Sequence, residues 1–170
     1  ARGELLDDGR LNPVMIEARK RGIIFDLGHG GGSFFWNKVV PVLQQKFYPD
    51  SNSTDMHFGS MNAGMKDLLN VMSKVLNLGV SLDEVIQMAT WSPAKEIKRP
   101  QLGNLDVGTE ADVAVLRLDR GQFGFLDSAG ARYQGQQLLV AELTLRKGRI
   151  VWDLNAHAGE DWKTFKYRKR

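Results

Sequence analysis

At 170 residues, 42% apolar and 25% charged, the chain has the composition of a globular domain, or of one piece of a larger one, and not of a disordered segment. It has no cysteine, which excludes disulfides and thiolate zinc sites made from its own residues, and no apolar run near the roughly 20 residues a bilayer requires. The isoelectric point near 9.2 reflects 23 basic against 20 acidic residues, and Lys163, Lys166, Arg168, Lys169 and Arg170 crowd the end, so residues 156–170 read as a solvated basic tail rather than a nucleic-acid surface.

Residues 1–13 are polar, with turn signals at Asp7-Asp8-Gly9 and Asn12-Pro13. The opening Ala1-Arg2-Gly3-Glu4 carries no apolar leader and no initiator Met, so the true start is expected upstream and the setting is expected to be cytoplasmic. Val14 to Arg21 suits a short helix with Pro13 in its first turn. Gly22 to His29 is nearly continuously apolar and bounded by glycines, the pattern of a strand buried in a parallel sheet. Gly30-Gly31-Gly32 breaks it. A helical pattern then runs from Ser33 to Lys46, with Pro41 marking a kink or the true start.

Residues 51–55 suit a second short strand. Met61, Met65, Leu68, Leu69, Met72, Val75 and Leu76 follow at helical spacing, predicting a long helix with a core-facing methionine stripe, stopped by Gly79. Ser81-Leu82-Asp83-Glu84 is a capping box opening a helix through Ala89, and Ser92-Pro93 reads as the N-cap and first turn of another. After Pro100 the pattern changes. Strands are expected at Ala111–Leu118, Leu138–Arg146 and Ile150–Trp152, with Lys147-Gly148 as a hairpin turn. Residues 1–99 therefore carry strand–helix alternation and residues 100–155 carry antiparallel β structure.

Consecutive parallel strands joined by a helix lie side by side and end on the same face. His29 and Asp55 are thus expected on one rim, and Ser53, Asp55 and His57 share a face if the second strand continues that far. A carboxylate and two imidazoles in one crevice suit a divalent cation or proton transfer. The bland readings are a helix-capping Asp55 and a surface His57. Gly30 and Gly31 beside His29 would admit a ligand close to the backbone, or cradle an anion, though no phosphate-loop lysine accompanies them. Three protein ligands with an open position are what a catalytic zinc needs, and these residues look like part of such a set.

The run Gly22 to Phe34, the segment Pro49-Asp50 through Ser53-Thr54-Asp55-Met56-His57, and Gly103-Asn104-Leu105 to Gly108 with Ala111 to Leu116 together resemble the amidohydrolase superfamily. Within it the chain is most similar to dihydroorotase-like deacetylases. The resemblance implies an α/β fold: the C-terminal part of a (β/α)₈ barrel, strands seven and eight over residues 1–99, plus strands of a small β-sandwich over residues 100–155. It also implies Zn²⁺, one or two ions, with Asp55 as metal ligand and catalytic base, and His29, His57, Gly30 and Gly31 lining the substrate pocket.

The family's remaining ligands have no counterpart here, so the rest of the barrel is expected from an upstream segment or another chain. The implied reaction is hydrolysis of a small-molecule amide, N-acyl, cyclic amide or ester bond, with a homo-oligomer compatible and no role for nucleic acid or membrane. The competing expectation is a catalytically inactive binding or scaffold chain that keeps the barrel-derived fold.

Overall fold

A computed structural model describes residues 3–61 and 63–168 of the chain; Ala1, Arg2, Asn62, Lys169 and Arg170 lie outside the described residues. In chain order it contains α1 (Pro13–Lys20), β1 (Asp26–Gly28), α2 (Trp36–Gln44), β2 (Ser51–Ser53), α3 (Leu68–Asn77), α4 (Leu82–Ala89), α5 (Trp91–Glu96), β3 (Val113–Leu126), β4 (Arg132–Arg146) and β5 (Arg149–Asp153). β1 and β2 pair in parallel, with Asp26 opposite Ser51 and Gly28 opposite Ser53. β3, β4 and β5 form a separate antiparallel sheet in that order.

Local chemistry accounts for several of these boundaries. Asn12 caps α1 through its side chain, with Pro13 at the first helical position. Ser81 and Glu84 form the reciprocal capping box of α4. Gly79 adopts φ +94°, the left-handed conformation that ends α3. Lys147 (φ 51°) and Gly148 (φ 72°) are both left-handed, as the tight β4–β5 turn requires.

Five expectations need correction. The buried strand expected over Gly22–His29 is confined to Asp26–Gly28, and Ile23 and Ile24 are 51% and 54% exposed. α3 begins at Leu68, not near Met61, because the Asp67 side chain accepts from the Asn70 N–H and fixes the start there. Met61 is therefore 53% exposed and not part of the core, while Met65 and Met72 are buried. Ser92 does not cap α5: the helix starts at Trp91, so Ser92 lies inside it. The hairpin strands are longer than expected, since a bulge between Arg120 and Phe123 lets pairing continue through the polar residues beyond Leu118. Finally, β2 stops at Ser53, and Asp55 has φ +48°, which ends the two-residue alternation that would have aligned Ser53, Asp55 and His57.

The core spans both halves of the chain. Phe34, Trp36, Val39 and Leu43 meet Met72, Val75, Leu76, Val80, Val85 and Met88, and Phe125 and Leu139 of the hairpin complete the cluster. Polar side chains fix α3 on β4. Ser73 Oγ accepts from the Leu139 N–H (2.9 Å), and Asn77 bonds the backbone of Gln136 and Gln137. α2 has a more distant fastener. Its N-cap, Phe35, offers no polar side chain, and Asp127 of the β3–β4 turn accepts the Trp36 N–H instead (3.2 Å). The Trp36 indole in turn donates to the carbonyls of Phe125 and Ala131.

The same turn presses on the segment before α3. A Cβ on Gly64 would collide with the carbonyl oxygens of Leu126 and Asp127 and lie 2.7 Å from the Asp127 carbonyl carbon. These are backbone atoms and cannot rotate away. Gly64→Ala is expected to destabilise the fold by about 1–3 kcal/mol, as overpacking typically does, and thermal melting would show no change if the hairpin does not in fact seat there.

Candidate active site at the ends of the parallel strands

Asp26, Ser51 and Ser53 occupy one face of the strand pair. The Ser51 hydroxyl donates to Asp26 (2.9 Å) and approaches Glu96 (3.1 Å), and Ser53 donates to the other Asp26 oxygen. Asp55 lies two residues beyond β2 at the C-terminal end of this face. Its side chain is exposed, and its left-handed backbone is one of the few conformations that aspartate, unlike most residues, tolerates. Ser60, itself fully buried, shapes the turn that follows: its hydroxyl bonds the carbonyls of Asp55 (3.2 Å) and His57 (3.0 Å) and accepts the His57 N–H.

The glycines after β1 meet this turn. A Cβ on Gly30 would overlap the Asp55 carboxylate, 3.0 Å from its Cγ, and one on Gly31 would sit 3.5 Å from the His57 ring. The close approach expected at these glycines is thus made by the chain's own Asp55 and His57. His57 Nδ1 accepts the Gly59 N–H (3.1 Å), so in the neutral ring the proton sits on Nε2, on the side of the ring that faces Gly31.

His29 departs from expectation. Its backbone is on the rim beside Asp55, but its side chain is fully buried, stacked at 4.4 Å on Phe34 and 2.6 Å from the Lys74 ammonium. It does not line an accessible pocket: the alternating strand directs it into the core, where Phe34 and Lys74 enclose it. Burial and then the Lys74 charge hold its pKa below the ordinary value, so the ring is neutral.

Lys74 itself has no exposed surface. Burial lowers its pKa from 10.5 to about 8 against the opposing pull of Asp127. Nothing in the helical spacing around Met72 and Val75 marked this lysine. The spacing instead puts Asn70, Ser73, Lys74 and Asn77 on one polar face, which reads as solvent-facing; the hairpin covers that face and buries Ser73 and Lys74.

A cleft of about 680 Å³ reaches Ser33, Ser53 and Asp55. It contacts Phe25 and Leu27 as well as Asp26 and Gly28, residues of opposite strand faces, so it runs along the edge of β1 that β2 leaves unpaired. Its other wall is α2, including Lys38 and Leu43. Asp55 suits a divalent cation as a single hard oxygen donor. Among the described residues, however, no three His, Cys, Asp or Glu side chains converge to hold one. His29 and His57 do not converge with Asp55, so the described residues do not by themselves assemble a metal site. No helix among the described residues is long and apolar enough to cross a membrane.

The model of the amidohydrolase family matches residues 37–151. A deacetylase of Brucella anthropi is 33% identical over 126 residues, covering 74% of this chain and 31% of the relative. A deacetylase of Agrobacterium fabrum gives the same identity and coverage. In structure the chain is similar to an adenine deaminase (TM-score 0.81, 26% identity, 88% of this chain and 41% of the other). It is also similar to a dihydroorotase (TM-score 0.75, 29% identity, 84% and 39%). The chain spans about a third of the length of the curated deacetylases it matches.

Proposed function

Since the chain belongs to the amidohydrolase family, we propose that it carries the C-terminal part of a metal-dependent hydrolase of a C–N bond, deacetylase- or dihydroorotase-like, with an ester as a further possible substrate bond. In this reading β1 and β2 are the seventh and eighth strands of a (β/α)₈ barrel, β3–β5 belong to a β-sandwich, and residues 156–170 are a tail. The unpaired edge of β1 and its cleft then receive the rest of the barrel, from another segment or another chain. The observation that supports the assignment is Asp55: an exposed carboxylate at the C-terminal end of a parallel strand, where barrel enzymes keep their reactive groups, on a left-handed backbone closed against Gly30.

Bound Zn²⁺, one or two ions, would lower the pKa of its water to about 7 and polarise the substrate carbonyl. Asp55 would be one of the residues that hold it and also the base. Its carboxylate orients the attacking water, takes its proton as the C–O bond forms, and returns that proton to the leaving nitrogen as the C–N bond breaks. His57, with Nδ1 occupied by the Gly59 N–H, offers Nε2–H to a substrate oxygen. Gly30 and Gly31 keep the opposite wall free of side chains, and His29 supports that wall from behind.

The test is hydrolysis by the intact protein of a panel of N-acetyl compounds, cyclic amides and esters, with metal content measured in parallel. Bound zinc is expected, with activity lost to a chelator and restored by Zn²⁺. A folded, metal-loaded protein inert toward every member of the panel would favour the scaffold reading instead.

A further inference from the structure

We propose that Lys74 is a positioning residue for Asp55: its buried ammonium group clamps the loop after β1, the turn after β2 and the tip of the β3–β4 hairpin in the arrangement that sets Gly30 against the Asp55 carboxylate. The proposal rests on reading Asp55 as the reactive group. Nothing in the chemistry outlined above uses Lys74.

The geometry is specific. Lys74 Nζ has three N–H bonds and three acceptors: His29 Nε2 at 2.6 Å, the Leu126 carbonyl at 2.7 Å and the Gly64 carbonyl at 3.0 Å. These acceptors belong to three separate segments. His29 opens the glycine loop, Gly64 closes the turn that contains Asp55 and His57, and Leu126 ends β3. Among the described residues no direct ion pair offsets the buried charge; Asp127 is spent on the backbone N–H groups of Trp36, Ala129 and Ala131. A methionine or leucine on α3 would fill this core space without the cost of burying a charge. What an ammonium group adds is direction toward three acceptors at once.

Lys74 also determines the state of His29. A ring nitrogen that accepts from the ammonium must carry a lone pair, so His29 is the neutral Nδ1–H tautomer, with that proton facing the Gly30 carbonyl at 3.3 Å. Ser128 Oγ donates to the same carbonyl (3.0 Å) and accepts the Phe34 N–H (3.2 Å). The Gly30 N–H is held by Ser33 Oγ at 2.8 Å. The peptide groups around Gly30 are thus fixed from both sides, and Asp55 rests on the atom that carries no side chain. With both nitrogens engaged, His29 serves the site through Gly30 and not through the substrate.

The experiment compares wild type, Lys74→Met and Lys74→Gln in the intact protein. Turnover is read together with the ¹⁵N signals of the His29 ring and the ¹³C signal of the Asp55 carboxyl. Lys74→Met is expected to lower kcat roughly 10- to 100-fold, the range for partners that orient a reactive group. It should also convert His29 from one tautomer to a mixture and shift the Asp55 signal. Lys74→Gln keeps two N–H donors and should recover part of all three, and it carries the comparison alone if the Met variant does not fold. Unchanged kcat and unchanged Asp55 signal in a folded variant would overturn the proposal, as would a wild-type His29 protonated at Nε2. An inactive wild type would instead count against the hydrolase reading, while the His29 and Asp55 signals still decide whether Lys74 positions the carboxylate.

Discussion

Asp55→Asn in the intact protein is expected to eliminate measurable turnover, by roughly 10²- to 10⁴-fold if loss of the proton acceptor alone is counted, while the protein stays folded. Asparagine is the informative substitution because of the backbone. At φ +48° most side chains would strain the turn, but asparagine tolerates this conformation about as well as aspartate. The residue is exposed, and the bonds that shape the turn come from Ser60 to backbone carbonyls, which the substitution leaves in place. Stability should therefore change by no more than about 0.5 kcal/mol, as at other surface positions. Loss of activity without loss of melting temperature is the signature sought. Hydrolysis at the wild-type rate would remove Asp55 from the mechanism.

Gly30→Ala is expected to be nearly as damaging for a purely steric reason. The added methyl group occupies space the Asp55 carboxylate now fills and comes within 3.2 Å of Ser33 Oγ, so the carboxylate must swing aside. A displacement of about 1 Å at a reacting group costs on the order of 10²-fold in rate. The neighbouring glycines supply internal controls. Gly31→Ala makes only an ordinary 3.5 Å contact with His57, and Gly32→Ala meets nothing within 4 Å. Activity should fall steeply at Gly30, slightly at Gly31 and hardly at all at Gly32. Equal damage at all three would mean that the loop needs glycine for backbone freedom rather than for room.

How far the amino-acid sequence could be read depended on the range of the interaction concerned. The capping box at Ser81 and Glu84, the stop at Gly79 and the turn at Lys147-Gly148 are set by neighbours within four residues, and each was legible. The start of α3 was not. Met61 and Met65 continue the apolar spacing backward, but the Asp67 cap outweighs that spacing, and Met65 is buried from an irregular segment rather than from a helix. The positions of Asp55 and His29 on one rim followed from strand order. The direction of the His29 side chain did not, because it depends on Phe34 stacked on it and on Lys74, 45 residues away. Lys74 is the clearest omission. Its role comes from acceptors at Gly64 and Leu126, backbone carbonyls that no residue type announces.

The seating of Asp127 and Ser128 on the α2 side of the molecule also constrains the order of assembly. The bonds that cap α2 at Trp36 and pin Gly30 and Phe34 span 91 to 98 residues of chain. The hairpin that supplies them is itself local, its strands joined by a short turn, and can form early. The glycine loop has no such independence: it must wait for the hairpin tip to arrive, however soon it leaves the ribosome. Within this stretch the wall of the site is made before its support, so the earlier glycine loop settles only after the later hairpin.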